Sequence, residues 1–424
     1  MTNKDDRQSV GIEKIKEGFI KTGGATCCYA TGFGKTVIAL KVIKRALEKN
    51  PSRKVIIIVP KISLKVQWEK HIENWKLKNC TVYVVNTIIV RKLKLTCDLL
   101  IYDEFHTAGA ESFIKVFDII QYSWLLALTA TIERLDGRHK LLLDKAPIVD
   151  VITHDEAVAN EWISPITEYN LGIELTDADK TYYDDLNKRF HKLFSYFEHD
   201  FNLAMKCMTK NGSESYALRN QLDAKVVSQK AFMWNHTMRE RKDYLYNLPS
   251  KVLLSKQIIE RFPVKTIVFA ESTKFVDSLY DLIPNIAVKY HSNMESQIID
   301  GKKYGAKKLR DLAVKKIRDN RYKERVIISA KSLNEGFDVP DIMLGIRSSF
   351  TRNPATARQI RGRVCRLFKD GTSKTNALFI NIYVKGTQDE KWLAASQEDT
   401  DPIFIDSIDE IGKLTETSVI SIIG

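Results

Sequence analysis

Hydrophobic positions along the chain follow two alternating rhythms. Lys54-Val55-Ile56-Ile57-Ile58-Val59-Pro60 is a continuous apolar run closed by proline, the pattern of a strand buried on both faces of a parallel sheet. Shorter apolar runs predict strands at Ala25 to Ala30, Val82 to Val85 (closing at Asn86-Thr87), Asp98 to Tyr102 and Leu126 to Thr131. Between them the apolar spacing becomes helical. Val10, Ile12, Ile15 and Phe19 mark a helix over Asp6 to Ile20, and Val37 to Ile43 opens another. Leu64, Gln67, Trp68 and Ile72 share one side of a third, over Lys61 to Trp75. Strands alternating with helices predict an α/β fold with a parallel sheet and its ligand at the carboxyl ends of the strands.

The rhythm changes after Ile163-Ser164-Pro165, which reads as the exit from a first domain. Asp177 to about Lys256 is helical throughout, with a turn expected at Asn211-Gly212-Ser213. Tyr182, Tyr183, Phe190, Phe194, Tyr196, Phe197 and Phe201 recur there at near-helical spacing. A helical hairpin packed on its neighbours explains them, and so do rings set aside for base stacking. Strands then return at Lys265 to Ser272, before Tyr290-His291-Ser292-Asn293, at Arg325 to Ala330 and at Asn376 to Val384, with a helix over Lys274 to Leu282. The expected division is a first α/β unit at 1–165, a helical linker or insertion at 166–256, a second α/β unit at 257–385 and a tail at 386–424 packed on it. Glu398 to Asp409 in that tail is acidic and expected to be exposed.

Composition narrows the class. A chain of 424 residues has room for two or three domains. Lys and Arg number 66 against 53 Asp and Glu, a net charge of +13. That excess suits a polyanion, nucleic acid ahead of an anionic membrane, though a generally basic soluble surface gives the same total. The six cysteines, at 27, 28, 80, 97, 207 and 365, form no C-x-x-C pair, which argues against a zinc or redox site and for a reducing compartment. Met1 to Asp6 carries no apolar leader and the apolar runs are strand-sized. A cytoplasmic, monomeric protein is expected, in the host cytoplasm if viral; the Lys-, Ile- and Asn-rich composition leans toward a phage or virus.

The chemistry begins at Tyr29-Ala30-Thr31-Gly32-Phe33-Gly34-Lys35-Thr36. Gly32 and Gly34 allow a tight turn whose amides face one point, with Thr31 and Phe33 between and beside them. Lys35 then reaches the β- and γ-phosphates of a nucleotide, and the Thr36 hydroxyl ligates Mg²⁺ at a helix N-terminus. Tyr29 stands where the strict pattern has glycine. Upstream, the Gln8 amide is placed to reach an adenine, although Arg7-Gln8 also suits a solvated helix start. Asp103-Glu104-Phe105-His106 puts two acids at a buried strand tip, costly unless something binds them. Asp103 suits a metal, commonly through water, and Glu104 suits polarising an attacking water. The hydroxyls of Thr129 and Thr131 end the next strand, in position to hydrogen-bond His106.

These segments, with Val59-Pro60, Gln67-Trp68 and Leu128-Thr129-Ala130-Thr131, stand in the order found in superfamily 2 helicases, and the chain most resembles the DExH branch. Gln67-Trp68 and Glu133-Arg134-x-Asp136-Gly137 are similar to the group holding phage branch-migration helicases, XPB-type repair translocases and type III restriction motors. The resemblance implies two tandem RecA-like P-loop domains, with a helical insertion before the second sheet, and an ATP and Mg²⁺ site between them.

The second α/β unit lacks a phosphate loop, so it should close over the first one's site. In Thr356 to Arg366, Gln359, Arg363 and Arg366 fall at i, i+4 and i+7 on one helix face, and paired guanidiniums match phosphate oxygens. A basic helix face on DNA phosphates is the other reading. In the family's terms the stretch resembles motif VI, with Arg363 and Arg366 as arginine fingers and Gln359 placing the water. Gly336 and Asp338 resemble motif V, the Asp touching the ribose. Lys61, Thr87, Ser272, His291, Ser292 and Asn293 are the implied nucleic-acid contacts. The family often has Ser or Thr where Ala330 stands, and Ser329 or Ser332 is the substitute contact. The expected activity is an ATP-dependent helicase or translocase on double-stranded or branched DNA in replication, recombination or repair. A duplex translocase serving as motor subunit of a larger complex, an RNA helicase and a nucleic-acid-binding scaffold with a vestigial ATP site are the alternatives.

Overall fold

The computed structural model describes residues 3–110, 112–130, 137, 139–330, 339, 341–352, 354–368, 371, 376–397 and 400–411. Among them two wholly parallel sheets carry the architecture. The first is built from β1 (Gly24–Tyr29), β2 (Val55–Val59), β3 (Cys80–Val84), β4 (Leu95–Asp103), β5 (Ile120–Thr129) and β6 (Ile148–Ile152), in the order β3-β2-β4-β5-β1-β6. Every residue of β2 is buried, because helices cover both faces and leave no wet side for polar residues. Apolar clusters on the two faces include Ile38, Val59, Trp68 and Leu128 on one and Ile58, Tyr102, Phe105 and Leu125 on the other.

The second sheet contains β7 (Ile166–Ile173), β8 (Thr266–Ala270), β9 (Ala287–Tyr290), β12 (Val326–Ala330), β13 (Leu344–Arg347), β14 (Ala377–Val384) and β15 (Ile403–Ile405). Its order is β15-β7-β14-β13-β8-β12-β9. A separate hairpin of β10 (Gln297–Ile299) and β11 (Lys302–Tyr304) stands outside both sheets.

Between β7 and β8 lie five helices, Asp177–Ser195, Phe201–Lys206, Lys210–Asn220, Ala224–Tyr246 and Pro249–Arg261. The side chains of Thr176, Asp200, Thr209 and Asp223 cap the first four by accepting backbone N–H groups. Phe190, Phe197, Tyr216 and Trp234 form a small core of their own, with Phe194 stacked on Trp234 at 5.6 Å. Most of the aromatic series therefore packs inward. Phe201, half exposed, contacts Trp234 edge-on, and Tyr182 lies against Tyr244.

Several expected elements differ. The stretch from 166 opens on β7, which pairs with β14 over its whole length, so the helices are inserted after the second sheet has begun. Thr167, Glu168 and Asn170 broke the apolar run that would have betrayed this strand. Thr87 lies in the helix Val85–Arg91 rather than at a strand end. Asn211-Gly212-Ser213 lies inside the helix Lys210–Asn220. Gly212 is small there because a Cβ would stand 2.0 Å from the Lys206 carbonyl oxygen. Within the acidic tail, β15 pairs with β7 and buries Ile405. Among the described residues no helix is long and apolar enough to cross a membrane.

Candidate functional site

Parallel pairing sends every carboxyl end of the first sheet to the same side, and the order β4-β5-β1 sets three candidate segments side by side. The phosphate loop leaves β1 with Gly32 and Gly34 at φ +94° and +110°, which only glycine adopts without strain. The helix Lys35–Lys49 that follows has no side-chain cap, so its first amides are left to an anion. Lys35 Nζ bends back to donate to the Tyr29 carbonyl at 3.1 Å. Phe33 points away into the core, edge-on to Tyr29 and Trp162; only its backbone belongs to the loop.

Tyr29 occupies the glycine position for a visible reason. Its hydroxyl donates to Asp150 Oδ2 at 2.8 Å. Arg7 holds the same carboxylate through two bonds of 2.7 and 2.9 Å, and Lys14 joins at 2.6 Å. Burial works to raise the Asp150 carboxyl, yet these donors hold it below its ordinary range. Gly11 makes room, since a Cβ there would stand 2.5 Å from the tyrosine hydroxyl. Arg7 thus ties the first helix (Lys4–Thr22) to β6. Gln8 is buried and accepts from Lys41 at 2.8 Å, leaving its amide nitrogen 3.1 Å from where a Cβ on Gly34 would sit. Lys4, unmarked in the sequence, donates to the Trp162 carbonyl at 2.8 Å and reaches Gly32 O at 3.4 Å; desolvation lowers its ammonium to about 8.

Asp103 ends β4 and is buried. Its Oδ2 accepts from the Trp68 indole at 2.8 Å and its Oδ1 from the Glu104 amide at 3.0 Å. Burial, with Glu104 alongside, pushes its carboxyl up to about 6 despite those bonds. Trp68 was legible as an apolar helix residue next to Gln67; its grip on the acid was not. Glu104 has a left-handed backbone (φ +53°) that turns its side chain toward His106, 3.5 Å away. Its buried Oε2 accepts no hydrogen bond among the described residues. His106 Nδ1 and Thr129 Oγ1 stand 3.2 Å apart, donor and acceptor following the imidazole tautomer. An orphaned carboxylate oxygen and a cradle of uncapped amides fit a magnesium nucleotide with its water.

The second sheet contributes the helix Pro354–Val364. Its Gly362 lies directly on the phosphate loop: a Cβ added there would meet Thr31 Cγ2 at 2.2 Å and Thr31 Cβ at 2.4 Å. The space beside Gly32 is bounded by the Gly362 carbonyl and the Arg366 side chain, 3.7 and 3.9 Å from a Cβ built there. Arg363 is buried and Gln359 half-buried, both on this helix; Arg366 follows two residues beyond its end, so the three do not share one continuous helix face. The intervening Arg361 points elsewhere, to Glu168 on β7 at 3.0 Å. Past the helix, the Cys365 carbonyl accepts from the Ser164 amide at 2.7 Å and its side chain joins the first domain's core.

The implied nucleic-acid residues scatter. Lys61, Ser292 and Asn293 are exposed, and Thr87 is half-buried in its helix. Ser272 donates to Asn247 at 2.6 Å. His291, only 2% exposed, lies 3.6 Å from Asp277, and desolvation lowers its pKa. Ser329 is likewise buried. Both side chains are withdrawn from the surface. Thr131, Ser332, Gly336 and Asp338 lie outside the described residues, as do Glu133, Arg134 and Asp136.

Two parallel-sheet domains meeting across one phosphate loop, with an arginine-bearing helix of the second seated on that loop, form the two-domain motor class of P-loop enzymes. The family model for the helicase conserved C-terminal domain matches residues 250–368. The model for the type III restriction enzyme res subunit matches 5–97 and 86–134. The chain is 28% identical over 378 residues to the DNA 3'-5' translocase XPB2 of Sulfurisphaera tokodaii, covering 85% of this chain and 77% of that one. It is 32% identical over 139 residues to a protein of Invertebrate iridescent virus 3 described as helicase 109L, spanning 27% of this chain and 40% of the viral one. The helicase domain of Pyrococcus furiosus Hef shares the fold at TM-score 0.55 and 15% identity, over 92% of this chain and 97% of that one. An HsdR fragment of a type I restriction enzyme from Vibrio vulnificus does so at 0.56 and 13%, over 94% and 67%. The chain belongs to the superfamily 2 helicases, related to the XPB and type III restriction motors, and is an ATP-hydrolysing enzyme.

Proposed function

We propose that the chain is an ATP-driven motor on double-stranded or branched DNA, of the DExH type, acting in replication, recombination or repair. The observation that carries this reading is the seating of Gly362, and with it the arginine helix, on Thr31 of the phosphate loop. When bound, magnesium ATP supplies the transferable phosphoryl group and a metal charge that neutralises the phosphates. Lys35 and the amides after Gly32 hold the phosphates, Gln8 meets the adenine, and Gly336 and Asp338 meet the ribose side. Thr36 and Asp103 hold the metal, with Trp68 fixing the acid's orientation. Glu104 takes a water through its unbonded oxygen. Gln359 helps place that water, while Arg363 and Arg366 stabilise charge on the transferred group. Thr129, His106 and Thr131 relay the state of Glu104 to the DNA side, where Lys61, Ser292 and Asn293 meet the backbone.

DNA is favoured over RNA by the XPB2 relative, a DNA translocase by description. A viral source accompanies this reading, supported by the iridescent-virus relative. The experiment is the ATPase rate with no nucleic acid, single-stranded DNA, duplex DNA, a branched junction and RNA. Strongest stimulation by duplex or junction is expected. Equal rates under all five conditions would refute the motor.

A further inference from the structure

The net charge of this chain is concentrated in one place. Between 302 and 325 there are eleven lysines and arginines against three acids, eight of the thirteen excess charges in under a tenth of the chain. That stretch is the strand β11, the helix Ala306–Arg318 and the loop after it. Lys302, Lys303, Lys307, Lys308, Lys315, Arg318, Arg321 and Lys323 are all exposed. Among the described residues Lys316 pairs with Glu324 and Arg321 with Asp319, while Lys302, Lys303, Lys307 and Lys308 stay exposed.

The hairpin is a built element with no role in the core. Its turn residues, Asp300 and Gly301, both have positive φ (48° and 72°), the geometry that holds a two-residue hairpin in register. A two-stranded ribbon outside any sheet is marginal by itself, and this one leaves Ile298 78% exposed, opposite Lys303. The helix behind it has Lys307 and Lys308 in its first turn and no acid there, against what its own dipole favours. Folding gains nothing from either arrangement; a polyanion would. From Lys307 to Arg318 the helix runs about 16 Å, roughly five phosphate steps along one strand of a duplex.

We propose that the β10–β11 hairpin and the helix Ala306–Arg318 form a DNA-backbone contact, separate from the motif residues, by which the second domain grips duplex phosphates. Lys302, Lys303, Lys307 and Lys308 are its centre. The proposal rests on the DNA-motor reading, and the test separates the two. Full-length chain carrying Lys302→Gln, Lys303→Gln, Lys307→Gln and Lys308→Gln is compared with a charge-matched control, Lys21→Gln, Lys49→Gln, Lys76→Gln and Lys78→Gln, four exposed lysines of the first domain. Fluorescence anisotropy with a labelled duplex is run over a salt series, alongside ATP turnover without DNA.

The hairpin variant should lose about tenfold or more in affinity, and its salt slope should fall by about 0.9 for each phosphate contact removed, up to roughly 3.6. DNA-free turnover should be unchanged. An affinity and slope that fall no further than the control's would overturn the inference while leaving the motor intact. Absence of duplex binding by the unmodified chain would overturn both.

Discussion

Adding one methyl group at Gly362 tests the contact between the domains with little else disturbed. Carbon atoms pack at about 3.5–4.0 Å, whereas the new Cβ would lie 2.2 Å from Thr31 Cγ2 and 2.4 Å from Thr31 Cβ. Rotating the threonine removes the first overlap. The second remains, because Cβ is fixed to the backbone of the phosphate loop. The helix Pro354–Val364 must therefore withdraw by about an ångström or the loop must deform. Overpacking of this kind costs about 1–3 kcal/mol, a five- to 150-fold loss of the closed arrangement, and a displacement near 1 Å at a reacting centre costs on the order of a hundredfold in rate. Gly362→Ala should lower kcat for DNA-stimulated ATP hydrolysis by roughly ten- to a hundredfold, with nucleotide affinity of the loop kept within a few-fold. Alanine is the better helix former by about 1 kcal/mol, so thermal stability should hold or rise while turnover falls. Steady-state ATPase, binding of a fluorescent nucleotide and a melting curve on the same preparation give the three readings. A kcat within twofold of the unmodified chain would refute the closure geometry.

Trp68→Phe removes one of two hydrogen bonds to Asp103, worth about 1.5–3 kcal/mol for an ionised acceptor, and should shift the acid limb of magnesium-nucleotide binding upward by about a pH unit or more; an unmoved limb would separate Trp68 from the metal site. In the unmodified chain, Asp103 is raised by burial to about 6, so nucleotide binding should fall as pH drops through 6. The nucleotide-free fold responds oppositely: the protonated acid's stabilisation is full below the ordinary carboxylate value and lost as pH rises through 6, which parallel melts would reveal. Lys251 and Asp389 are wholly buried and hydrogen-bonded to each other, with Lys251 also donating to the Ser348 carbonyl at 2.8 Å. Lys251→Met should cost about 3–5 kcal/mol by stranding the carboxylate, and adding Asp389→Leu should recover most of it; a double mutant no more stable than the single would contradict that.

Much of this molecule was legible because parallel α/β structure writes itself plainly. β2 is an unbroken apolar run and β4 ends in Asp103 with a second acid, Glu104, next to it, so the two-sheet class and the side on which ligands gather followed from pattern alone. Long-range partnerships were not legible. β7 carries Thr167, Glu168 and Asn170 because the residue just before β14, the middle of that strand and the 397 region answer them with Asn376, Asn381 and Gln397, and alternation rules know nothing of such pairs. Tyr29 looked like a defect in the phosphate loop until Asp150, 121 residues away, was found to hold its hydroxyl. His291 and Ser329 stood at strand ends, where contacts are usually sought, yet the layers around them bury both. β15 hid among acids because only the three residues Ile403-Phe404-Ile405 mark it.

In the proposed mechanism one ATP site is completed across the cleft by the second domain. Arg363→Ala addresses it most directly, measured as ATP turnover on saturating duplex or branched DNA beside nucleotide affinity. Turnover should fall on the order of a thousandfold with affinity nearly unchanged. A variant that hydrolyses ATP at the unmodified rate would contradict completion of the site by this helix.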